Sequence, residues 1–489
     1  MPKTGLAGGS YTTQSRIADS SRTINLYPEL IESARGPAGA VLYSTPGYTL
    51  FATGLAGFSR GHFNFNGRLY TVAGNTVYEL NPSTGAILTT LGIIDSDSQQ
   101  CTIFSNRYQI MILSAGKGYV ITPADNVLTL IADVDFPGNL PNTRAIDGDY
   151  EDGYGFVLAD NNFFYISSLN DFTAWDQIDT STIQFFSEKL RAMLIDHREV
   201  FVFARPKGQV LYNSGDPDFP FTPVAQGLIE YGVTAIDTLI KSDNSFIFLG
   251  EGMDGSGIVY RVSGYDPRRI SDHGVEHRIQ RALKAGNNLD LSVAWSYQIE
   301  GHSFYVLNIP GMDTCPVYDG ATKLWHEIAW WNVNTGLYEP HRGINHIYIN
   351  GKHLIGDRAL GKIYELDLET YTDNGDIIRR VRQHPQITAD GRRLVHDRLR
   401  ILMDTGVGLN VAEDQPGYDP QLMMEYSDDG GITFENLQST SIGKIGEYDI
   451  DVEFPGLGST NLSRVYRLIG TDPVPYRFIE SYLNPRLGA

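Results

Sequence analysis

Apolar residues along this chain fall in short runs rich in Val, Ile, Tyr and Phe, separated by Gly, Asn, Asp and Pro. Arg68-Leu69-Tyr70-Thr71-Val72, Tyr108-Gln109-Ile110-Met111-Ile112-Leu113 and Glu199-Val200-Phe201-Val202-Phe203 are examples. Runs of this length, bounded by turn residues, predict β-strands. Helical periodicity is confined to two short stretches, Ser187 to Leu194 and Gly274 to Leu283. The pattern predicts an all-β protein.

The strands also recur as a unit: a turn with Asn, Asp or Gly, an apolar strand, a second turn, then a strand carrying Tyr. Asn66-Gly67-Arg68-Leu69-Tyr70 leads to Asn75-Thr76-Val77-Tyr78, and Asn350-Gly351-Lys352-His353-Leu354 leads to Gly361-Lys362-Ile363-Tyr364. Comparable units begin at Asn106, Asp152, Asp196, Ser242 and Glu300. Their spacing, roughly 40 to 55 residues, is that of a four-stranded propeller blade. One twisted sheet cannot cover both of its faces, whereas blades stacked around an axis bury each other and leave short edges. The expectation is a β-propeller of six or seven blades, the competing arrangement being unrelated hairpins in stacked sandwiches.

After Leu368 the character changes. Leu399-Arg400-Ile401-Leu402-Met403, Gln421 to Tyr426, Tyr448 to Val452 and Arg464 to Leu468 read as antiparallel strands of a separate β-sandwich. The Gly- and Asn-rich opening, with Asn25-Leu26-Tyr27-Pro28 and Ser44-Thr45-Pro46-Gly47-Tyr48 as turns and anchors, reads as an extended arm. The predicted division is arm 1–55, propeller 56–378 and sandwich 379–489.

Composition narrows the function. The formal charge is −20, which opposes a grip on nucleic acid by clustered cations. That charge is unevenly spread. Arg379, Arg380, Arg382, Arg392, Arg393, Arg398 and Arg400, with Asp376, Asp390 and Asp397, give one stretch a balance of +4 and leave −24 elsewhere. Interleaved aspartates and a lack of stacking aromatics favour inter-domain or inter-subunit ion pairs there over nucleic acid. These arginines are candidate interface residues, with Trp330 and Trp331. Trp325, Trp330 and Trp331 are readable either as anchors or as blade core. Cys101 and Cys315 cannot build a disulfide framework. No apolar run approaches the ~18 residues of a membrane helix, and the start lacks a secretory h-region, so a soluble protein made in a reducing cytoplasm is expected.

Catalytic and metal motifs are sparse. His273-Gly274-Val275-Glu276-His277 fits a zinc-peptidase pattern, but Gly274 weakens the required helix and no acidic ligand follows, so a polar connector between blades is the better reading. Ser427-Asp428-Asp429-Gly430-Gly431-Ile432-Thr433-Phe434 fits the Asp-box of sialidase propellers: a hairpin in which Ser427 and Asp429 bind backbone N–H groups and Phe434 anchors the loop. Its single copy lies outside the predicted propeller, and a sialidase also needs an arginine cluster and a tyrosine nucleophile. Asp147-Gly148-Asp149-Tyr150-Glu151-Asp152-Gly153 and Asp254-Gly255-Ser256-Gly257 are oxygen-rich but lack calcium-loop spacing, which favours solvated turns. No catalytic, cofactor-binding or metal residue is assigned, and no cofactor is expected.

Several stretches together resemble one family. Asn25-Leu26-Tyr27-Pro28-Glu29 followed by Leu42-Tyr43-Ser44-Thr45-Pro46-Gly47 resembles the opening of bacteriophage packaged-DNA stabilisation proteins, the tail hub or nozzle subunits of short-tailed phages. Tyr297 to Leu307, then Val317-Tyr318-Asp319-Gly320-Ala321-Thr322-Lys323-Leu324-Trp325-His326-Glu327, is similar to a recurrent blade of that family. Tyr426 to Gly431, Ile442 to Tyr448 and Asp472-Pro473-Val474-Pro475-Tyr476 resemble its C-terminal sheet domain. The resemblance implies a non-enzymatic homo-hexamer in the virion tail, assembled in the host cytoplasm. Its implied partners are an adaptor ring, a tail fibre or tailspike, and a needle or plug, with DNA passing through the lumen without sequence-specific binding. An acidic surface suits such a channel because it repels phosphate. The surplus of Tyr suits broad interfaces. Two rivals remain: a sialidase-like propeller, and a glycan- or protein-binding adhesin of a phage tail with exposed aromatics on its blade loops.

Overall fold

The repeated turns are the hairpins that join the first two strands of each blade. Asn66-Gly67 takes φ of +50° and +85°, Asp152-Gly153 +49° and +94°, Glu300-Gly301 +50° and +81°, and Asn350-Gly351 +50° and +77°. Positive φ at both central residues marks the two-residue turn whose twist matches that of the flanking strands. A computed structural model describes residues 3–33, 38–182, 189–216, 219–251, 257–388 and 392–487. In it these turns open successive four-stranded antiparallel sheets.

Seven blades result. Five are continuous in sequence and stand as separate sheets: 59–93, 102–130, 145–182, 190–229 and 240–269. The sixth comprises Val293–Ile299, His302–Asn308, Cys315–Asp319 and Trp325–Asn332. The seventh takes Gly343–Ile349, Lys352–Asp357 and Lys362–Asp367, and receives its fourth strand, Gly47–Thr53, from the opening segment. The first strand of blade seven lies against that of blade one, so the ring closes. Aromatic and branched residues fill the spaces between blades, such as Phe156, Phe164, Val200 and Phe221 between blades three and four.

Two sheets form the sandwich. One orders Leu26–Leu30, Ala40–Ser44, Phe478–Leu487, Leu394–Met403 and Val452–Pro455. The other orders Ser20–Ile24, Arg380–Gln383, Ser463–Gly470, Gln421–Ser427 and Glu435–Ser441. Leu26, Leu42, Ile401, Met424, Phe454 and Phe478 meet in its core. The segment read as an extended arm is therefore shared out, with strands in both sandwich sheets and one in blade seven. Ser20–Ile24 also pairs in parallel with the last strand of blade six, Ile24 opposite Glu327. Blade six and the second sandwich sheet thus form one continuous sheet.

Two local expectations need correction. Leu190–Asp196, read within a helical stretch, is the first strand of blade four; residues 187 and 188 lie outside the described residues. Leu190, Ala192, Met193 and Leu194 are good helix formers, but pairing with Glu199–Ala204 outweighs that preference. Tyr448 to Asp451 is irregular, with Tyr448, Asp449 and Asp451 exposed and Ile450 half-buried, and the strand begins only at Val452. The second helical expectation matches helix α1, His273–Lys284, which connects blades five and six.

Candidate interface at the junction of propeller and sandwich

The junction is organised by residues that the opening segment brings to blade six. Asn25 is buried with φ of +56°, a conformation that Asn tolerates better than most residues. Its N–H donates to the Glu327 carbonyl at 2.8 Å. Its Nδ2 donates to the carbonyls of Ala329 and Arg379, both at 3.0 Å, and its Oδ1 accepts from the Ala329 N–H at 2.9 Å. One side chain therefore joins the opening segment, blade six and the residue that leads into the first sandwich strand after the propeller.

Beside it, the buried Glu327 carboxylate accepts from Arg22 Nε at 3.0 Å and Nη2 at 2.6 Å, and from Ser10 Oγ at 2.9 Å. Arg278 Nη1 of α1 lies 3.0 Å away. Burial alone would raise the Glu327 pKa, but Arg22 and Arg278 hold it well below the usual carboxylate range.

The arginine-rich stretch divides into three kinds of residue. Arg380 and Arg382 are buried. Arg382 donates from Nε to Leu6 O at 2.6 Å and from Nη1 to Gly9 O at 3.0 Å and Thr23 Oγ1 at 2.8 Å, which clamps the opening segment. Arg380 reaches the carbonyls of Ile378 and Asp472 at 3.4 Å and lies over the Tyr476 ring. Burial lowers both guanidinium pKa values to about 10, which leaves them charged at neutral pH. Arg392, Arg393, Arg398 and Arg400 are exposed on the sandwich. Arg393 Nη2 donates to Ser459 Oγ at 2.9 Å, Arg398 pairs with Glu453 at 3.2 Å, and Arg400 pairs with Asp451.

Arg379 joins a third group. Its guanidinium lies 4.4 Å from the Trp331 ring centre, and that of Arg342 lies 3.9 Å from Trp330. Trp330 Nε1 donates to Asp376 at 3.0 Å. Both tryptophans are half-buried at the junction, whereas Trp325 is blade core, its Nε1 bound to the Ile270 carbonyl at 2.8 Å.

The remaining motifs serve the fold. Glu276 accepts from Arg269 Nε and Nη2, both at 2.6 Å, and from Ser271 at 2.7 Å, while the His273 side chain is 78% exposed. Among the described residues no group of three or more His, Cys, Asp or Glu side chains converges as a metal site. Asp429 in the Asp-box accepts from Ile432 N at 2.9 Å and Thr433 N at 3.0 Å and closes a sandwich hairpin. Phe434 lies half-buried 3.5 Å beneath the Arg467 guanidinium and not in the core as expected, because the preceding residues leave the sheet. Asp147 is no solvated turn: it accepts from Thr102 of blade two at 3.0 Å and from Met193 N of blade four at 2.8 Å, and burial raises its pKa to about 7. Asp254 to Ser256 lie outside the described residues. Cys101 and Cys315 are both free.

Asn25, Arg22 and Glu327 carry no sequence signal as a site. Asn25 reads only as turn chemistry, and its partners lie some 300 positions away.

Comparison with known proteins adds the family. No curated protein sequence matches the chain. Among solved structures, the WD40 beta propeller domain of Doa1 aligns at 8% identity and a TM-score of 0.40, covering 66% of this chain and 97% of that one. The N-terminal domain of Nup159 aligns at 8% identity and 0.41, covering 71% and 99%. The family model described as bacteriophage P22 Gp10, beta-propeller, matches residues 6–371, and that described as bacteriophage P22 Gp10, beta-sandwich, matches residues 379–484. The chain therefore belongs to the bacteriophage P22 Gp10 family, phage structural proteins that join a β-propeller to a β-sandwich.

Proposed function

We propose that the chain is a tail hub, or nozzle, subunit: a non-catalytic virion protein, assembled in the host cytoplasm, that forms a ring of six below the portal and adaptor. In this role it retains packaged DNA, provides its exit channel, and anchors fibres or tailspikes and the tail plug. Beyond family membership, one observation carries the reading: blade six continues through Ser20–Ile24 into the sandwich as one sheet. Backbone pairing at that seam, Ile24 opposite Glu327 with Asn25 N–H donating to the Glu327 carbonyl, ties propeller to sandwich, as a load-bearing ring requires. The chain's charge of −20 suits a lumen that DNA passes without adhering.

The test is to mix purified protein with an adaptor ring, measure particle size, and image whole tails by electron microscopy. A ring of copies beneath the adaptor is expected. A stable monomer that never joins the adaptor overturns the reading, and a clearly positive measured lumen potential overturns its account of DNA passage.

A glycan-binding propeller of a phage tail is supported by one feature. A pocket of about 580 Å³ at blades four to seven is lined by Tyr297, Gln298, His346, Tyr348 and His353 among others, with Tyr348 57% exposed. Retention on a glycan array, lost in Tyr348→Ala, would favour it.

A further inference from the structure

A second cleft, of about 400 Å³, opens where α1 and the loop before Cys315 face the opening segment and the sandwich. Five arginines line it, Arg16, Arg22, Arg278, Arg281 and Arg467, against one carboxylate, Asp313. In a chain of formal charge −20 this is a local reversal of sign.

Part of that positive charge is already compensated. Arg22 and Arg278 share Glu327 and lie 3.9 and 3.6 Å from Asp313, and Arg467 pairs with Glu425 at 2.5 Å. Arg16 and Arg281 are exposed, and among the described residues neither has a carboxylate within 4.0 Å. Arg16 is held in place by its backbone, whose carbonyl accepts from Gln386 Nε2 at 2.9 Å. The cleft also contains a buried donor without a partner: Ser20 is 2% exposed and its Oγ makes no hydrogen bond. Unpaired guanidinium groups beside an unsatisfied hydroxyl call for an acceptor-rich, negatively charged occupant.

We propose that this cleft receives a carboxylate-rich peptide segment of a partner protein. Planar guanidinium groups bind carboxylates through paired, parallel hydrogen bonds, and the cleft has room for one or two acidic side chains. Nucleic acid fits less well. A duplex sets phosphates in a long line, and here that line would run beyond the cleft over an acidic body. An occupant would touch the opening segment, α1 and Gly431 of the sandwich together, and so brace the junction from outside. The proposal does not depend on the tail-hub reading.

The test uses the full chain and fluorescein-labelled hexaglutamate at low salt, with a length-matched oligothymidylate and inorganic phosphate as competitors. The double variant Arg16→Glu/Arg281→Glu is expected to weaken peptide binding about tenfold or more. Arg107→Glu/Arg268→Glu, with exposed arginines elsewhere, is expected to leave binding unchanged. Arg16→Gln/Arg281→Gln serves in place of the first double if circular dichroism shows that it does not fold. Absence of binding by the native chain, equal loss in the two doubles, or displacement of the peptide by oligonucleotide or phosphate at equal or lower concentration overturns the proposal.

Discussion

Arg22 grips Glu327 with two parallel hydrogen bonds of 3.0 and 2.6 Å across 305 positions of sequence. The pair ties the opening strand to the last strand of blade six, and Arg278 adds the connecting helix. Removing the carboxylate leaves two guanidinium groups with the more distant Asp313, at 3.9 and 3.6 Å, as their remaining counter-charge.

Glu327→Gln is accordingly expected to destabilise the protein by about 3–5 kcal/mol at pH 7, the usual consequence of breaking a buried ion pair. The pH dependence has a definite sign. Burial disfavours the charge, but the two arginines outweigh it and hold the folded-state pKa below its unfolded value of about 4.3. The contribution is therefore complete above about pH 4.3 and is lost as pH falls through the folded value. Thermal melts of both proteins from pH 7 to pH 3 should show the gap closing only at the acid end. A gap constant across that range would contradict the assignment.

Asn25 should be the residue whose loss uncouples the two units. Asn25→Ala removes three side-chain hydrogen bonds and puts Ala, which tolerates the left-handed region less well than Asn, at φ of +56°. The expected cost is about 3 kcal/mol. Asn25→Gly keeps the conformation and loses only the bonds, so it should fall between Ala and the native protein. Calorimetry can rank the three. Limited proteolysis near residues 372–379 should be fastest in the Ala variant, and equal rates would refute the pivot role.

The legible parts of this structure are local. The turn Asn350-Gly351 and the alternating strands around it are set by residues within ten positions, so the seven-unit pattern appears in the sequence. Arg380 and Arg382 show the opposite. In sequence they are indistinguishable from Arg398 and Arg400, yet they are buried because Arg382 finds carbonyl partners more than 370 positions earlier. The sequence leaves the blade count between six and seven for the same reason, since Gly47–Thr53 completes blade seven from the far end of the chain.

Two glycines of blade one separate backbone conformation from crowding. Gly67 has φ of +85° with open space around its Cα, so Gly67→Ala should cost only the left-handed penalty of about 1 kcal/mol. Gly74 has φ of +56°, and a Cβ there would run into the Ala56 carbonyl. Gly74→Ala should therefore cost several times more, on the order of 3 kcal/mol. Chemical denaturation measures both, and similar losses would disprove the distinction.

Ring closure can be probed through Tyr48, on the strand lent to blade seven. Its ring is fully buried against Tyr364, 4.7 Å away, and its hydroxyl has no hydrogen-bond partner. Tyr48→Phe removes only that unsatisfied group and should leave stability unchanged or raise it by up to about 1 kcal/mol. Tyr48→Ala opens a cavity at the seam and should cost about 3–5 kcal/mol. A marked loss in the Phe variant, read by thermal melting, would show that the hydroxyl is satisfied after all.

Arg398 and Arg400 offer a separation of assembly from stability. Both are exposed, and their pairs with Glu453 and Asp451 lie in solvent, where such contacts contribute about 0–1 kcal/mol. Arg398→Glu/Arg400→Glu should therefore melt within a few degrees of the native protein. If the exposed half of the arginine stretch meets a neighbouring subunit or the adaptor, the same double variant should weaken assembly by about tenfold or more, increasingly so at low salt. Sedimentation of the variant with an adaptor ring measures this directly. Native-like assembly would remove these two arginines from the interface, and leave Trp330 and Trp331 as the part of it still to be tested by substitution with Ala.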